Sequence, residues 1–314
     1  MTKPKLIMLI GLPASGKSHV AQQLQSKYKT TIRTTIHSSD SIREELLNNI
    51  NSQENNDLVF QTLHSRIKDD LTNNINTIYD ATNISYKRRM SFLQSLNKIE
   101  CEKITYLIAT PYTQCLEWNN TRERKVPEDV IRRMYLNFDV PAYFEGWDDI
   151  QIVNNSDNNT QHNLKEMMDR LRNTLHENPH HSLSIGEHCI ECHDLLMSNY
   201  TEHFDYNLIL SGLLHDIGKE FTKEFKNSKG EPSPTAHYYQ HHHVSTYEAI
   251  FYLQNLTVLS FDTRTILDIC QLIRWHMQPY FMPLEKTRNK FIKLVGQGFY
   301  DRLMILNKAD IEAH

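Results

Sequence analysis

Gly11-Leu12-Pro13-Ala14-Ser15-Gly16-Lys17-Ser18 follows the apolar run Leu6–Ile10 and opens onto HVAQQLQSKY (19–28), whose apolar members fall at helical spacing. The stretch fits G-x-x-x-x-G-K-[ST] in the strand, loop and helix context that gives the motif its meaning. Gly11 and Gly16, with Ser15 between them, let backbone N–H groups approach phosphate oxygens. Lys17 reaches the outer phosphates, Ser18 ligates Mg2+, and the helix N-terminus adds its dipole. Mg2+ and a nucleoside triphosphate are the expected occupants, but ATPases, GTPases and kinases all carry such a loop, so it does not say what receives the phosphoryl group.

Working outward, short apolar runs alternate with longer amphipathic stretches up to residue 153: LIMLIG, RTTIHS, INTIYD, KITYLIA and IQIV read as strands with helices between them. This is an α/β pattern with a parallel sheet. VNNSDNNTQHN (153–163) has a single apolar member and reads as a connector. Beyond it apolar residues recur at helical spacing in NLKEMMDRLRNTL, IECHDLLMSNY, YNLILSGLLHDIG, STYEAIFYLQNL, TRTILDICQLIRWHM and RLMILNKADIEA, with no convincing strand. The expectation is an α/β domain over 1–155, a linker over 156–164 and an all-α domain over 165–314.

Length and composition agree: 314 residues, 39% hydrophobic, 23% charged and only 9 Gly and 10 Pro exclude collagen-like, low-complexity and wholly disordered classes. The net charge of −4 announces no global basic field. It is unevenly spread: 19 basic and 18 acidic residues precede position 155, and 15 basic and 20 acidic follow. Of the 17 histidines, 14 lie in the second part, which points to metal or acid/base chemistry there. Five cysteines, an odd set in a chain that needs no disulfide staples, read as reduced and cytoplasmic. The start imitates a signal peptide, but the phosphate loop begins inside the supposed cleavage region. No stretch approaches the roughly 18 apolar residues of a membrane span, so no membrane association is expected. Cys189-Ile190-Glu191-Cys192-His193 fits a haem-attachment spacing, yet beside His188 on an expected helix both cysteines read as ordinary helix residues.

IHSSDSIREEL ends a strand with Asp40 and places Arg43 one helical turn later. TIYDATNISYKRRM, TRERKVPEDVIRRM and NFDVPAYFEGWDDIQIV follow in order. Together with the phosphate loop these segments resemble the 5′-polynucleotide kinase family and its close P-loop kinase relatives. The resemblance implies that ATP is the phosphoryl donor, that Asp40 is the general base toward a 5′-hydroxyl and that Arg43 contacts substrate. It further implies that Asp80, Thr82 and Asn83, followed by Arg88 and Arg89, form the family's D-x-T-N segment on the substrate side. Arg122, ahead of Val126-Pro127, matches the lid arginine, and Arg124 is its alternative because the spacing is short. Arg88, Arg89, Arg122, Arg124, Arg132 and Arg133 are the candidates for a local basic surface.

In the second part His215-Asp216 sit together at the end of an apolar run, where a polar pair needs a reason for burial. His188, His241, His276 and Asp310 lie around them in the order His, His-Asp, His, His, Asp. Four N/O ligands hold one divalent ion and six hold two, with Asp216 bridging. The order resembles the HD-domain metal-dependent phosphohydrolases, which implies a metal-activated water as nucleophile at phosphorus and Lys219 as a phosphate contact. Mixed His/Asp ligation suits Mn, Fe, Co, Ni or Zn. His242 and His243 compete with His241; the resemblance implies His241, because Ser or Gly usually stands four residues after that ligand in the family, here Ser245.

The two resemblances together imply a bifunctional end-healing enzyme: ATP-dependent phosphorylation of 5′-hydroxyl ends joined to a 2′,3′-cyclic or 3′-phosphate phosphoesterase. RNA or DNA ends would be its partners, a ligase would follow it, and a homo-oligomer is compatible. The alternatives on the same two folds are a small-molecule kinase fused to a nucleotide phosphohydrolase, and a nucleic-acid-binding or signalling module gated by ATP.

Overall fold

Leu6, Ile7, Met8, Leu9 and Ile10 are each at most 1% exposed, as in a parallel strand covered on both faces. In the computed structural model, which describes residues 3–28, 33–48, 55–157, 162–178, 182–199, 204–256 and 261–313, they form β1 (Lys5–Ile10). The phosphate loop then leads into α1 (Lys17–Tyr28). There follow β2 (Thr34–Ser38), α2 (Ser39–Leu47), α3 (Asn56–Thr72), β3 (Asn76–Asp80), α4 (Tyr86–Gln94), β4 (Glu102–Ala109), α5 (Tyr112–Thr121), α6 (Glu128–Leu136) and β5 (Asp149–Asn154). All strands pair in parallel in the order β2-β3-β1-β4-β5. The five strands are those expected. Val20, Ala21 and Leu24 of α1, at helical spacing, pack on Ile7, Leu9, Ile78 and Ile108. After β1 the chain moves to one side for β2 and β3 and returns to the other for β4. The C-terminal ends of β1 and β4 therefore flank the switch point, where open sheets hold their ligands.

The remaining elements are α7 (Leu164–Arg172), α8 (Ile185–Asn199), α9 (Tyr206–Leu214), α10 (Lys219–Thr222), β6 (Glu224–Lys226), β7 (Pro232–His237), α11 (His241–Asn255), α12 (Thr263–Trp275), α13 (Glu285–Val295) and α14 (Gln297–Glu312). Cys192 and Leu196 of α8, Leu208 and Ile209 of α9, Leu272 of α12 and Leu306 of α14 share one core. Gly218 lets α11 come close: a Cβ there would lie 2.4 Å from the His241 carbonyl oxygen and 2.4 Å from the Ser245 amide nitrogen. Its own N–H donates to Ser245 Oγ at 2.8 Å.

Three expectations change. The helical part contains a hairpin, β6 antiparallel to β7. Its segments EFK and PSPTAH bury only Ala236, so no alternating apolar pattern announces it. The connector is shorter than VNNSDNNTQHN, because β5 runs to Asn154 and Asn163 already caps α7, accepting from the Lys165 N–H at 3.0 Å. Residues 158–161 of that connector, and Tyr200 of an expected helix, lie outside the described residues.

Finally, the chain divides into residues 1–134 with 141–157 and residues 135–140 with 158–314, which a single cut near Ser156 does not describe. Within the second unit, Tyr135 Oη donates to Glu248 Oε1 at 2.5 Å and Arg274 Nε to Asp139 Oδ1 at 2.9 Å. Gln271 Nε2 donates to the Val140 carbonyl at 3.3 Å, and Phe138 is fully buried.

Two stability predictions follow from this packing. Gly218→Ala meets backbone atoms that cannot give way and costs about 2 kcal/mol or more. Gly298→Ala, with nothing within 4 Å of the new Cβ, is neutral or stabilising by up to about 1 kcal/mol; thermal unfolding of the two variants checks the contrast. Burial pushes the Glu248 carboxyl up to about 7, against the opposing Tyr135 hydrogen bond. The folded state therefore holds an extra proton between the ordinary carboxylate range and pH 7, and stability falls as pH rises through that window. Glu248→Gln is expected to raise Tm relative to the parent at pH 8 and to lose that advantage at pH 5.

Candidate functional site

The phosphate loop is shaped by two residues with positive φ, Ala14 at 61° and Gly16 at 85°. A Cβ on Gly16 would sit 2.5 Å from Asn155 Nδ2, so the glycine is demanded twice. Asn155 Nδ2 donates to the Ser15 carbonyl at 2.9 Å, and Thr110 Oγ1 to the same oxygen at 3.0 Å. Asn155, assigned to the connector by composition, thus fastens the loop. Its only sequence signal is its position just after the last strand. On the other side Gly11 N–H donates to the Thr82 carbonyl at 3.1 Å. Asn83, at φ 48°, donates to the Leu9 carbonyl at 2.8 Å.

Lys17 is buried and its Nζ donates to the Leu12 carbonyl at 2.5 Å. Burial pulls its pKa down, opposed by Asp80. Ser18 Oγ donates to Asp80 Oδ2 at 2.8 Å, and burial raises the Asp80 carboxyl against the pull of Lys17. Asp80, expected on the substrate side, therefore touches the loop serine. Asp40, in the first turn of α2, keeps its side chain 46% exposed. Arg43 NH1 donates to its Oδ1 at 3.0 Å, and Arg124 NH1 pairs with its Oδ2. Arg43 is held a second time by Asn56 Oδ1 at 2.9 Å. Arg122 Nε donates to Asn119 Oδ1 at 3.1 Å, while its NH2 nitrogen is buried without a partner. Burial, with Arg124 nearby, lowers its pKa.

The expected arginine surface loses a member. Arg89 is 1% exposed and forms a two-pronged pair with Glu145, at 2.7 Å and 2.6 Å; Glu145 also accepts from the Ala142 N–H and from Trp147 Nε1. Such a desolvated, fully bonded pair organises the fold. Arg88 and Arg133 are exposed, and Arg132 is half-buried beside Tyr112.

In the second unit α8, α9, α11, α12 and α14 bring six side chains together. His188, His215, Asp216 and Asp310 form one group of potential metal ligands, and Asp216, His241 and His276 another. His188 Nε2 and His215 Nε2 are 3.2 Å apart, and each lies within 3.2 Å of Asp310 Oδ1. Asp216 faces both groups. Its Oδ2 is 3.5 Å from His188 Nε2 and 3.4 Å from His215 Nε2, and its Oδ1 is 3.2 Å from His241 Nε2 and 3.7 Å from His276 Nε2.

Every imidazole is oriented in the same way. Nδ1 of His188, His215, His241 and His276 lies 2.7–2.8 Å from the carbonyl oxygen of Ala313, Gly212, Tyr238 and Ile273 respectively. Placing the proton on Nδ1 turns each Nε2 lone pair toward the centre. Asp216 Oδ1 is buried with no hydrogen-bond donor. An orphaned carboxylate oxygen among inward Nε2 lone pairs fits a cation and fits little else. Burial pushes Asp216 up, but Lys219, 2.6 Å away, holds it well below the carboxylate range. Burial pushes His276 down to about 3, so it is neutral and able to ligate. Of the three consecutive histidines, His243 Nδ1 faces the Phe138 carbonyl at 3.1 Å. Cys189 and Cys192 are buried, unbridged residues of α8.

The AAA domain profile matches residues 6–141 and the HD domain profile residues 180–313. The chain is 27% identical to the L-seryl-tRNA(Sec) kinase of Methanococcus maripaludis over 241 residues, 72% of this chain and 92% of that one. It is 24% identical to protein kti12 of Schizosaccharomyces pombe over 153 residues, 46% of this chain and 54% of that one. Among solved structures it is similar to a chain of the Pnkp1/Rnl/Hen1 complex, at 20% identity and TM-score 0.32, over 40% of this chain and 42% of that one. The chain thus spans less than half of that repair-complex chain and about half of kti12. No described helix is long and apolar enough to cross a membrane. The phosphate loop and the His/Asp cluster lie inside the two matched regions, and the chain is an enzyme made of a P-loop kinase domain followed by an HD domain.

Proposed function

We propose that this chain heals nucleic-acid ends, phosphorylating a 5′-hydroxyl in its first unit and hydrolysing a 2′,3′-cyclic or 3′ phosphate in its second. The observation that carries the reading is the pairing, in one chain, of a phosphate loop with an acid held between arginines and a six-ligand His/Asp cluster shared through one carboxylate. In the first unit Asp40 accepts the proton of the acceptor hydroxyl, whose oxygen bonds to the γ-phosphorus as the bond to ADP breaks. Arg43 and Arg124 orient the Asp40 carboxylate. Lys17 and the unpartnered NH2 nitrogen of Arg122 hold negative charge on the transferring phosphoryl. Ser18 and Asp80 would hold Mg2+, which neutralises phosphate charge when bound. Asn83 supports the loop, and Arg88, exposed on α4, is the remaining substrate contact of its segment.

In the second unit His188, His215, Asp216 and Asp310 would hold one divalent ion and Asp216, His241 and His276 a second. Such ions supply an activated water and withdraw charge from phosphorus. The N/O donor set suits Mn, Fe, Co, Ni or Zn. Lys219, paired with Asp216 at 2.6 Å, would meet a phosphate oxygen. The chemistry leaves a 5′-phosphate end and a processed 3′ end, ready for a ligase.

One observation favours a second reading: the similarity to L-seryl-tRNA(Sec) kinase spans 92% of that protein, which would put the acceptor hydroxyl on an aminoacyl group carried by tRNA. The test is one RNA oligonucleotide with a 5′-hydroxyl and a 2′,3′-cyclic phosphate, incubated with ATP, Mg2+ and Mn2+, with both termini read by mass spectrometry. Change at both ends is expected. Lys17→Ala should slow the 5′ reaction by about 100-fold or more and spare the 3′ reaction, and Asp216→Ala should do the reverse. No change at either end, with seryl-tRNA phosphorylated in parallel, would replace the first reading by the second.

A further inference from the structure

The segment after the ligand His276 carries a second kind of chemistry. A short 3-10 turn, Gln278–Phe281, brings Tyr280 Oη to 3.4 Å from Asp310 Oδ2 at the rim of the His/Asp cluster. Next to it Phe281 is 68% exposed and Leu284 66% exposed. α13 begins at Glu285. Its Lys286, Lys290 and Lys293 are spaced i, i+4 and i+7, so they share one face over about 10 Å of helix. These three line a single open depression with Glu285 and Asn289.

Phe291, more than a quarter-turn round the helix, packs instead on Trp275, with ring centroids 5.1 Å apart. The basic face is therefore turned away from that packing, and the helix is anchored through the residue that precedes His276. Among the described residues no carboxylate pairs with Lys286, Arg288, Lys290 or Lys293. Unpaired cations aligned on one face, in the part of the chain whose overall charge is negative, together with bare aromatic rings, match the needs of one ligand class. Phosphates meet the lysines, and unstacked bases meet the rings.

We propose that Tyr280, Phe281 and the Lys286–Lys290–Lys293 face of α13 form a docking platform for single-stranded nucleic acid that leads a strand end to the His/Asp cluster. The proposal rests on the end-healing reading for what happens at the cluster, but not for binding itself. A duplex offers phosphates without accessible base faces, so single strands are preferred. An acidic membrane surface offers charge without bases.

The experiment is fluorescence anisotropy of a labelled RNA single strand of about 12 nucleotides, with metal and ATP omitted so that no reaction intervenes, from about 50 to 200 mM salt. The intact protein is compared with K286Q/K290Q/K293Q and with Phe281→Ser, and retention of Tm shows that both variants fold. The lysine variant is expected to bind about tenfold or more weakly and to reduce the salt slope by about 2, at roughly 0.7 per phosphate contact on a single strand. Phe281→Ser is expected to weaken binding about tenfold with the slope kept. Unchanged affinity in the lysine variant overturns the proposal. So does a blunt duplex that competes as well as the single strand, or binding confined to vesicles containing anionic lipid. If binding behaves as expected while both RNA ends stay unaltered in the reaction above, the platform stands and the end-healing reading falls.

Discussion

Asp216 is a carboxylate almost sealed from solvent, set among four imidazoles, Asp310 and Lys219. An ionised group at such a depth is tolerated only if its surroundings satisfy it, and much of the second unit serves that end. The clustered side chains come from α8, α11, α14 and the ends of α9 and α12. Each imidazole is turned by a carbonyl: three of these belong to residues three positions earlier in sequence, and the fourth to Ala313. The helical framework and the polar centre are one solution. The helix ends fall where a freed carbonyl can hold an imidazole, and the apolar faces around them bury what remains.

The first unit solves a different problem, that of receiving several negative charges without collapsing beforehand. Backbone carbonyls and amides on both sides hold the phosphate loop: the Ser15 carbonyl is gripped by Thr110 and Asn155, and Gly11 N–H is fixed to Thr82. Lys17 and Arg122 are themselves partly desolvated, which strengthens the attraction of such cations for an anion. Arg43 has the opposite character. Fixed by Asp40 and Asn56, it organises the acid.

Much of this was legible in the residues themselves. The central strands could be read because a sheet covered on both faces needs continuous apolar runs, and the His215-Asp216 pair because polar residues at the end of an apolar run need a reason for burial; the other four clustered positions rested on the resemblance in their order. What escaped reading was chemistry without a pattern. Arg89 looks like any helical arginine until Glu145, 56 residues away, is found opposite it. Asn83 and Asn155 act through single side-chain amides on backbone carbonyls, which leave no periodicity. The segment 135–140 joins the second unit through scattered hydrogen bonds, and the β6–β7 hairpin has too little apolar content to alternate. Composition sees burial well and sees pairwise polar recognition poorly.

Asn155 also sets a limit on where the chain can be divided. Judged by hydrophobicity, the first unit ends at Val153, with expendable asparagines after it. Judged by hydrogen bonding, it ends at least two residues later, because the Asn155 amide grips the loop and its N–H donates to the Ala109 carbonyl at 2.8 Å. Proteolysis between 153 and 155 would spare the apolar core of the sheet, yet leave the Ser15 carbonyl of the phosphate loop held by Thr110 alone. The most polar stretch of the chain thus starts as part of the machinery it seems only to follow.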